Sequence, residues 1–76
     1  MTEIETTLDT SGLRCPIPIL HAKRALAKMQ VGELLRVITT DLSAPEDFDA
    51  MLQHTPHSLL GSVEQDARFE ILIRKG

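Results

Sequence analysis

The stretch Arg14-Cys15-Pro16-Ile17-Pro18 constrains everything after it. Inside a helix a proline removes a backbone donor and its ring collides with the preceding turn. Pro16 and Pro18 therefore belong at a helix opening, where the first N–H groups have no helical acceptor anyway. The expected helix has Cys15 at its N-cap and Pro16 at its first position. There the sulfur would face the positive end of the peptide dipoles, with the Ile17 and Ile19 amides aimed at it and the Arg14 charge alongside. That arrangement predicts a lowered thiol pKa and a reactive thiolate. The competing reading is an inert buried residue filling a cap. Cysteine is a poor cap, however, and two prolines hold this one in place.

Cys15 is the only cysteine in 76 residues, so no internal disulfide can form and the fold must rest on its apolar core. A chain of this length is expected to form one domain spanning 1–76. A free thiol suits a reducing compartment. Met1-Thr2-Glu3-Ile4-Glu5 carries neither a basic region nor an apolar run, and no stretch approaches the roughly 20 apolar residues that span a bilayer. The expected location is the cytoplasm, away from membranes. A formal charge of −3 argues against a dedicated nucleic-acid binder. With no Trp or Tyr, the stacking platforms of single-strand binders are also missing.

Taken in order, Ile4, Thr6 and Leu8 alternate with polar neighbours as one buried face of a first strand. Asp9-Thr10-Ser11-Gly12 supplies a turn. Asp9 is read as holding this loop by bonding its amides, with a part in Cys15 chemistry as the alternative. The first helix runs from Pro16 to about Gln30 and stops before Gly32. Its core stripe is Ile19, Ala22, Leu26 and Met29, with Ala25 beside it. Ile17, His21, Arg24 and Lys28 fall on the opposite face, which is either solvated or a docking surface headed by Ile17. Glu33–Thr39 is nearly continuous in apolar character and reads as a central strand. Strand, helix and strand with short joins imply a right-handed parallel crossover, which puts Thr40-Asp41-Leu42 near Cys15. Ser43 and Glu46 fit a capping box for a second helix to about His54, burying Phe48, Met51 and Leu52. Thr55-Pro56 ends it. Ser58–Glu64 and Arg68–Arg74 form a hairpin about Gln65-Asp66-Ala67. The βαβαββ order predicts an α/β (α+β) two-layer sandwich, a mixed four-stranded sheet with both helices on one face.

A metal site would have to be assembled from Cys15, His21, His54 and His57, which are spread along the chain, and none is expected. A thioredoxin-like cycle needs a resolving cysteine where this chain has Pro18. A Cys-His hydrolase has no readable third residue. A lone, exposed thiolate on a small acidic domain suits a group carrier. It can attack the outer sulfur of a donor persulfide, and a second thiolate can later remove that sulfur. A neighbouring thiol would collapse the persulfide to a disulfide. Two rivals stand beside this: a redox-sensing or regulatory interaction module, and a tRNA-binding accessory using Arg14, Arg24 and Lys28.

Leu8-Asp9, Gly12-Leu13-Arg14-Cys15-Pro16-Ile17-Pro18, Met29-Gln30-Val31-Gly32-Glu33, Thr40-Asp41 with Asp47, and Leu72-Ile73-Arg74-Lys75-Gly76 resemble the TusA (SirA/YedF-like) sulfur-carrier family over nearly the whole chain. The resemblance implies the same βαβαββ sandwich and a sulfurtransferase of the carrier type, with the persulfide covalently on Cys15 and no separate cofactor. It implies that sulfur comes from a cysteine desulfurase or rhodanese-like donor and passes to a DsrE/TusD-type acceptor. The downstream use is tRNA wobble-uridine 2-thiolation, with tRNA met only indirectly, or sulfur oxidation. Arg14, Pro16, Ile17, Pro18, Asp9, Arg24 and Lys28 are the expected supporting or partner-binding residues, on a monomer. Leu42 stands where members often have proline, Pro56-His57 where they have a Gly-His-like pair, and Ile17 where many are polar. These departures bear on docking.

Overall fold

In the computed structural model, which describes residues 5–76, the order is β1 (Glu5–Thr10), α1 (Ile17–Lys28), β2 (Leu34–Thr39), α2 (Ala44–Leu52), β3 (Ser58–Gln65) and β4 (Arg68–Arg74). The strands form one mixed sheet in the order β1-β2-β4-β3. β1 and β2 are parallel, with Thr10 beside Thr39. β4 runs antiparallel between β2 and β3. This is the expected α+β sandwich. Ile4, expected on the buried face of β1, lies outside the described residues. Among the described residues no helix is long and apolar enough to cross a membrane.

One face of the sheet carries both helices, and there the strict alternation of β2 and β4 buries Leu35, Val37, Phe69, Ile71 and Ile73. α1 closes this layer with Pro18, Ala22 and Leu26, spaced at one helical turn, and α2 with Ala44, Phe48 and Leu52. Ile19, Ala25, Met29 and Met51 pack at the margin of this core. The other face is open. Arg36 there bridges Glu5 and Glu70 at 2.8 Å each.

Several boundaries differ from expectation. Thr6 is exposed, because β1 is an edge strand and α1 covers only its carboxyl half. α1 stops at Lys28, where Met29 turns extended, so Gly32 does not cap it. Gly32 instead takes φ +94° in the turn that returns the Glu33 N–H to the Gln30 carbonyl. α2 ends at Leu52 rather than near His54, because the Thr55 hydroxyl and amide both bond the Leu52 carbonyl. The hairpin turns tightly through Asp66 and Ala67, both at positive φ, which extends β3 to Gln65.

Candidate functional site

The carboxyl ends of the parallel strands β1 and β2 meet at one edge of the sheet. The loops that follow them form an open cleft of about 480 Å³. One wall is Gly12 to Cys15, the other Thr40 to Leu42. Local chemistry builds the first wall. The Asp9 carboxylate accepts the Ser11 N–H at 2.9 Å, the looping role read from sequence. Gly12, at φ +82°, closes a turn in which the Leu13 N–H reaches the Thr10 carbonyl. The Gly12 N–H then donates to the Thr40 hydroxyl at 2.8 Å, tying the two walls together.

Cys15 sits exposed on this wall, two residues before α1 rather than at its cap. Pro16 is the N-cap residue and Pro18 the second helical one, so the helix opens one position later than expected. The Cys15–Pro16 peptide is cis. The shift matters chemically. The Ile17 N–H, expected to face the sulfur, donates to the Arg14 carbonyl at 2.8 Å, and the two prolines have no N–H to offer. The Cys15 amide itself points across the cleft to Asp41 Oδ2.

The expected lowered thiol pKa is therefore corrected. The Cys15 thiol is pushed above its ordinary value, first by its hydrogen bond to the Asp47 carboxylate, then by desolvation and by the negative charge of Asp47 and Asp41. The Arg14 charge acts on Asp41 instead. Asp41 is held below the usual carboxylate range mainly by the Ser43 and Cys15 amides and the Ser43 hydroxyl, with Arg14 adding to them. A carboxylate prefers to meet N–H donors and a cation, so it intercepts the positive charge that the sulfur was expected to use.

Asp41 and Asp47 are joined by Ser43. Its hydroxyl lies 2.9 Å from Asp41 Oδ1 and 3.1 Å from Asp47 Oδ2. The capping box predicted for Ser43 and Glu46 does not form, because the Ser43 hydroxyl is engaged with these two carboxylates and makes no cap bond. Sequence reading places Asp41 near Cys15 through the crossover, but brings neither Asp47 nor Ser43 there. The available signal was the concentration of acids at the start of α2, where Glu46 and Asp47 fall in the first turn.

The remaining candidates separate. Ile17 and Leu20 are exposed on α1, and Leu13 and Leu42 are exposed on the two walls, which gives the cleft an apolar rim. Arg24 is exposed on α1, but Lys28 lies in its last turn, about 16 Å along the axis from Ile17 at 1.5 Å per residue. Arg14, Arg24 and Lys28 thus do not form one patch at the sulfur. His57 is at the opposite end of the sheet, where its Nδ1 accepts the Gly76 N–H at 3.0 Å. Among the described residues no three acidic, histidine or cysteine side chains converge to hold a metal.

Comparison with known proteins agrees with this architecture. The family described as Sulfurtransferase TusA matches residues 6–75. The sulfur carrier protein TusA of Allochromatium vinosum is 44% identical over 75 residues, covering 99% of both chains. A candidate sulfur carrier protein of Neisseria meningitidis serogroup A is 52% identical over 68 residues, covering 90% of this chain and 92% of its own. The crystal structure of a SirA-like protein from Desulfitobacterium hafniense superposes with a TM-score of 0.82 at 28% identity, over 92% of this chain and 96% of that one. With the match running from the first described strand to the end of the last, this chain belongs to the TusA family of sulfur carrier proteins.

Proposed function

We propose that this chain works as a carrier-type sulfurtransferase, with Cys15 as the atom that takes and gives the sulfur. The donor is a cysteine desulfurase or a rhodanese-like protein, and its persulfide outer sulfur is transferred to Cys15. A thiolate of a DsrE/TusD-type acceptor then removes it. The observation that carries this reading is the position of the lone cysteine. It is exposed at the rim of a cleft too open to enclose a small substrate but freely approached by another protein. The apolar rim of Leu13, Ile17, Leu20 and Leu42 is the docking surface in this reading. The relayed sulfur serves tRNA wobble-uridine 2-thiolation or sulfur oxidation, the two uses the family resemblance implies.

Mass spectrometry after incubation with a desulfurase and free cysteine tests the proposal. The wild type is expected to gain one sulfur on Cys15, about +32 Da. No adduct on the wild type, or an equal adduct on Cys15→Ser, rejects it.

A further inference from the structure

Packing does little to hold the Cys15 loop. Every residue from Ser11 to Ile17 is exposed, and the first buried side chain after them is Pro18. The loop's backbone bonds are local: the Leu13 N–H turns back to the Thr10 carbonyl, and the Ile17 N–H to the Arg14 carbonyl. Among the described residues the Cys15 backbone makes one hydrogen bond, from its N–H to Asp41 Oδ2 on the opposite wall. With no buried neighbour to wedge it, the cysteine takes its place from that bond.

Asp41 is in turn fixed to the sheet. Its N–H donates to Thr39 Oγ1 at 3.2 Å, and Thr39 is fully buried at the end of β2, beside Thr10 of β1. Its other oxygen, Oδ1, accepts the Ser43 N–H at 3.0 Å and the Ser43 hydroxyl at 2.9 Å. The carboxylate thus spans the cleft with both oxygens engaged, and it cannot swing aside without breaking charge-assisted bonds. Given Cys15 as the sulfur acceptor, we propose that Asp41 is its positioning residue. The line from buried Thr39 through Asp41 to the Cys15 N–H sets where the sulfur stands relative to the sheet and the apolar rim.

Position matters because the transfer is directional. In Cys15–SH + R–S–SH → Cys15–S–SH + R–SH, the Cys15 sulfur bonds to the donor's outer sulfur. The donor's S–S bond breaks with its electron pair leaving on R–S. The Cys15 proton goes to water and the departing thiolate takes one up, so no oxidant or reductant is consumed. Attack runs along the axis of the bond that breaks. A small persulfide can tumble into that line from any side. A persulfide on a docked protein presents its outer sulfur from one direction, so the acceptor must already stand in line with it.

The test compares wild type, Asp41→Asn and Thr40→Val. Asparagine keeps the shape but has one acceptor oxygen. Oδ1 meets two donors and Oδ2 one, so that oxygen goes to Ser43 and the new NH2 group faces the Cys15 N–H. The backbone order parameter of Cys15, read by NMR, is expected to fall from about 0.85 in the wild type to below about 0.6. Sulfur uptake is read by mass with two donors, a loaded cysteine desulfurase and glutathione persulfide. With the desulfurase, kcat for Asp41→Asn as acceptor should fall about tenfold with KM nearly unchanged, because the docking rim is intact. Uptake from glutathione persulfide should not fall, since a free donor finds its own line of attack. A rise in KM alone would make Asp41 a docking contact, and equal losses with both donors would make it a determinant of thiol reactivity. Either result overturns the proposal. Thr40→Val breaks the other tie between the walls and is expected to loosen Gly12 more than Cys15. Equal effects of the two variants on Cys15 would reduce Asp41 to an ordinary loop tie. An unchanged Cys15 order parameter in Asp41→Asn overturns the proposal whatever the donors do, whereas a wild type that takes sulfur from neither donor rejects the carrier reading.

Discussion

The two ends of the sheet are held in opposite ways. At the Cys15 end the loops are tied by side chains: Asp9 to Ser11, Thr40 to Gly12, and Asp41 to the Cys15 and Ser43 amides. At the far end the backbone does most of this directly. The Gly32 N–H donates to the Lys75 carbonyl at 2.9 Å, and the Lys75 N–H to the Glu33 carbonyl at 2.8 Å. Backbone pairs are indifferent to side-chain identity and to pH, whereas carboxylate ties respond to both. The far end has side-chain ties as well, from the Gln30 N–H to the Glu33 carboxylate and from the Gly76 N–H to His57, but there they add to backbone pairs that cross between the chain's end and the turn before β2.

The strongest test of this contrast is Asp41→Ala. It removes the acceptor for two backbone amides and the Ser43 hydroxyl at once, so the cleft walls keep only the Gly12–Thr40 tie. The largest loss of stability among the variants described here is expected, with exchange of the Cys15 amide speeding at least about tenfold as its acceptor disappears. Amide exchange read by NMR checks it. Protection at Gly32 and Lys75 should stay near wild type, and equal loosening at both ends would erase the distinction drawn above.

A finer comparison uses one glycine from each end. Gly12 and Gly32 both have positive φ, and a Cβ built on either meets nothing within 4 Å. Alanine at either position thus costs only the left-handed backbone, about 1 kcal/mol. Denaturant melts of Gly12→Ala and Gly32→Ala should agree within error. Their effects on Cys15 should not agree, since the Gly12 amide bonds the opposite wall through Thr40 and Gly32 is remote from the sulfur. Iodoacetamide reactivity should change in the first variant alone.

Much of this scaffold was legible in the residues. The period-two alternation of Phe69, Ile71 and Ile73 and the helical spacing of Ala22 and Leu26 gave the right faces, because burial acts on local periodicity. The crossover rule placed Thr40-Asp41 beside Cys15. The sulfur's charge state was not legible. It depends on Asp47, 32 positions away, and on helix α1 opening at Ile17 instead of Pro16. A one-residue shift in the start of a helix reassigns the amide expected to stabilise the anion, and periodicity does not resolve boundaries that finely. Ser43 misled for a related reason: its sequence context fits a cap, but a closer pair of carboxylates competes for its hydroxyl.

The smallest expected effect separates the two ends by pH. At the far end, His57 is held below its ordinary value of 6.5 by desolvation first and by the Lys75 charge second. Its folded pKa lies below its unfolded one. Its contribution to stability is thus complete above pH 6.5 and is lost as pH falls through that value, when the unfolded chain takes up the proton first. At the Cys15 end, Asp9 and Asp41 are held below the ordinary carboxylate value of 3.8, chiefly by hydrogen bonds from Ser11 and from Ser43 respectively. Their contribution is complete above that value and disappears only as pH falls below it. A descending titration followed by NMR should therefore perturb the Gly76 amide, which donates to His57, before it perturbs the Cys15 amide, which donates to Asp41. His57→Gln should abolish the first step and leave the second in place. All these groups are largely solvated, so each step will be shallow. Simultaneous perturbation of both amides would mean that the two ends open as one unit, and that the independence of the reactive end is lost.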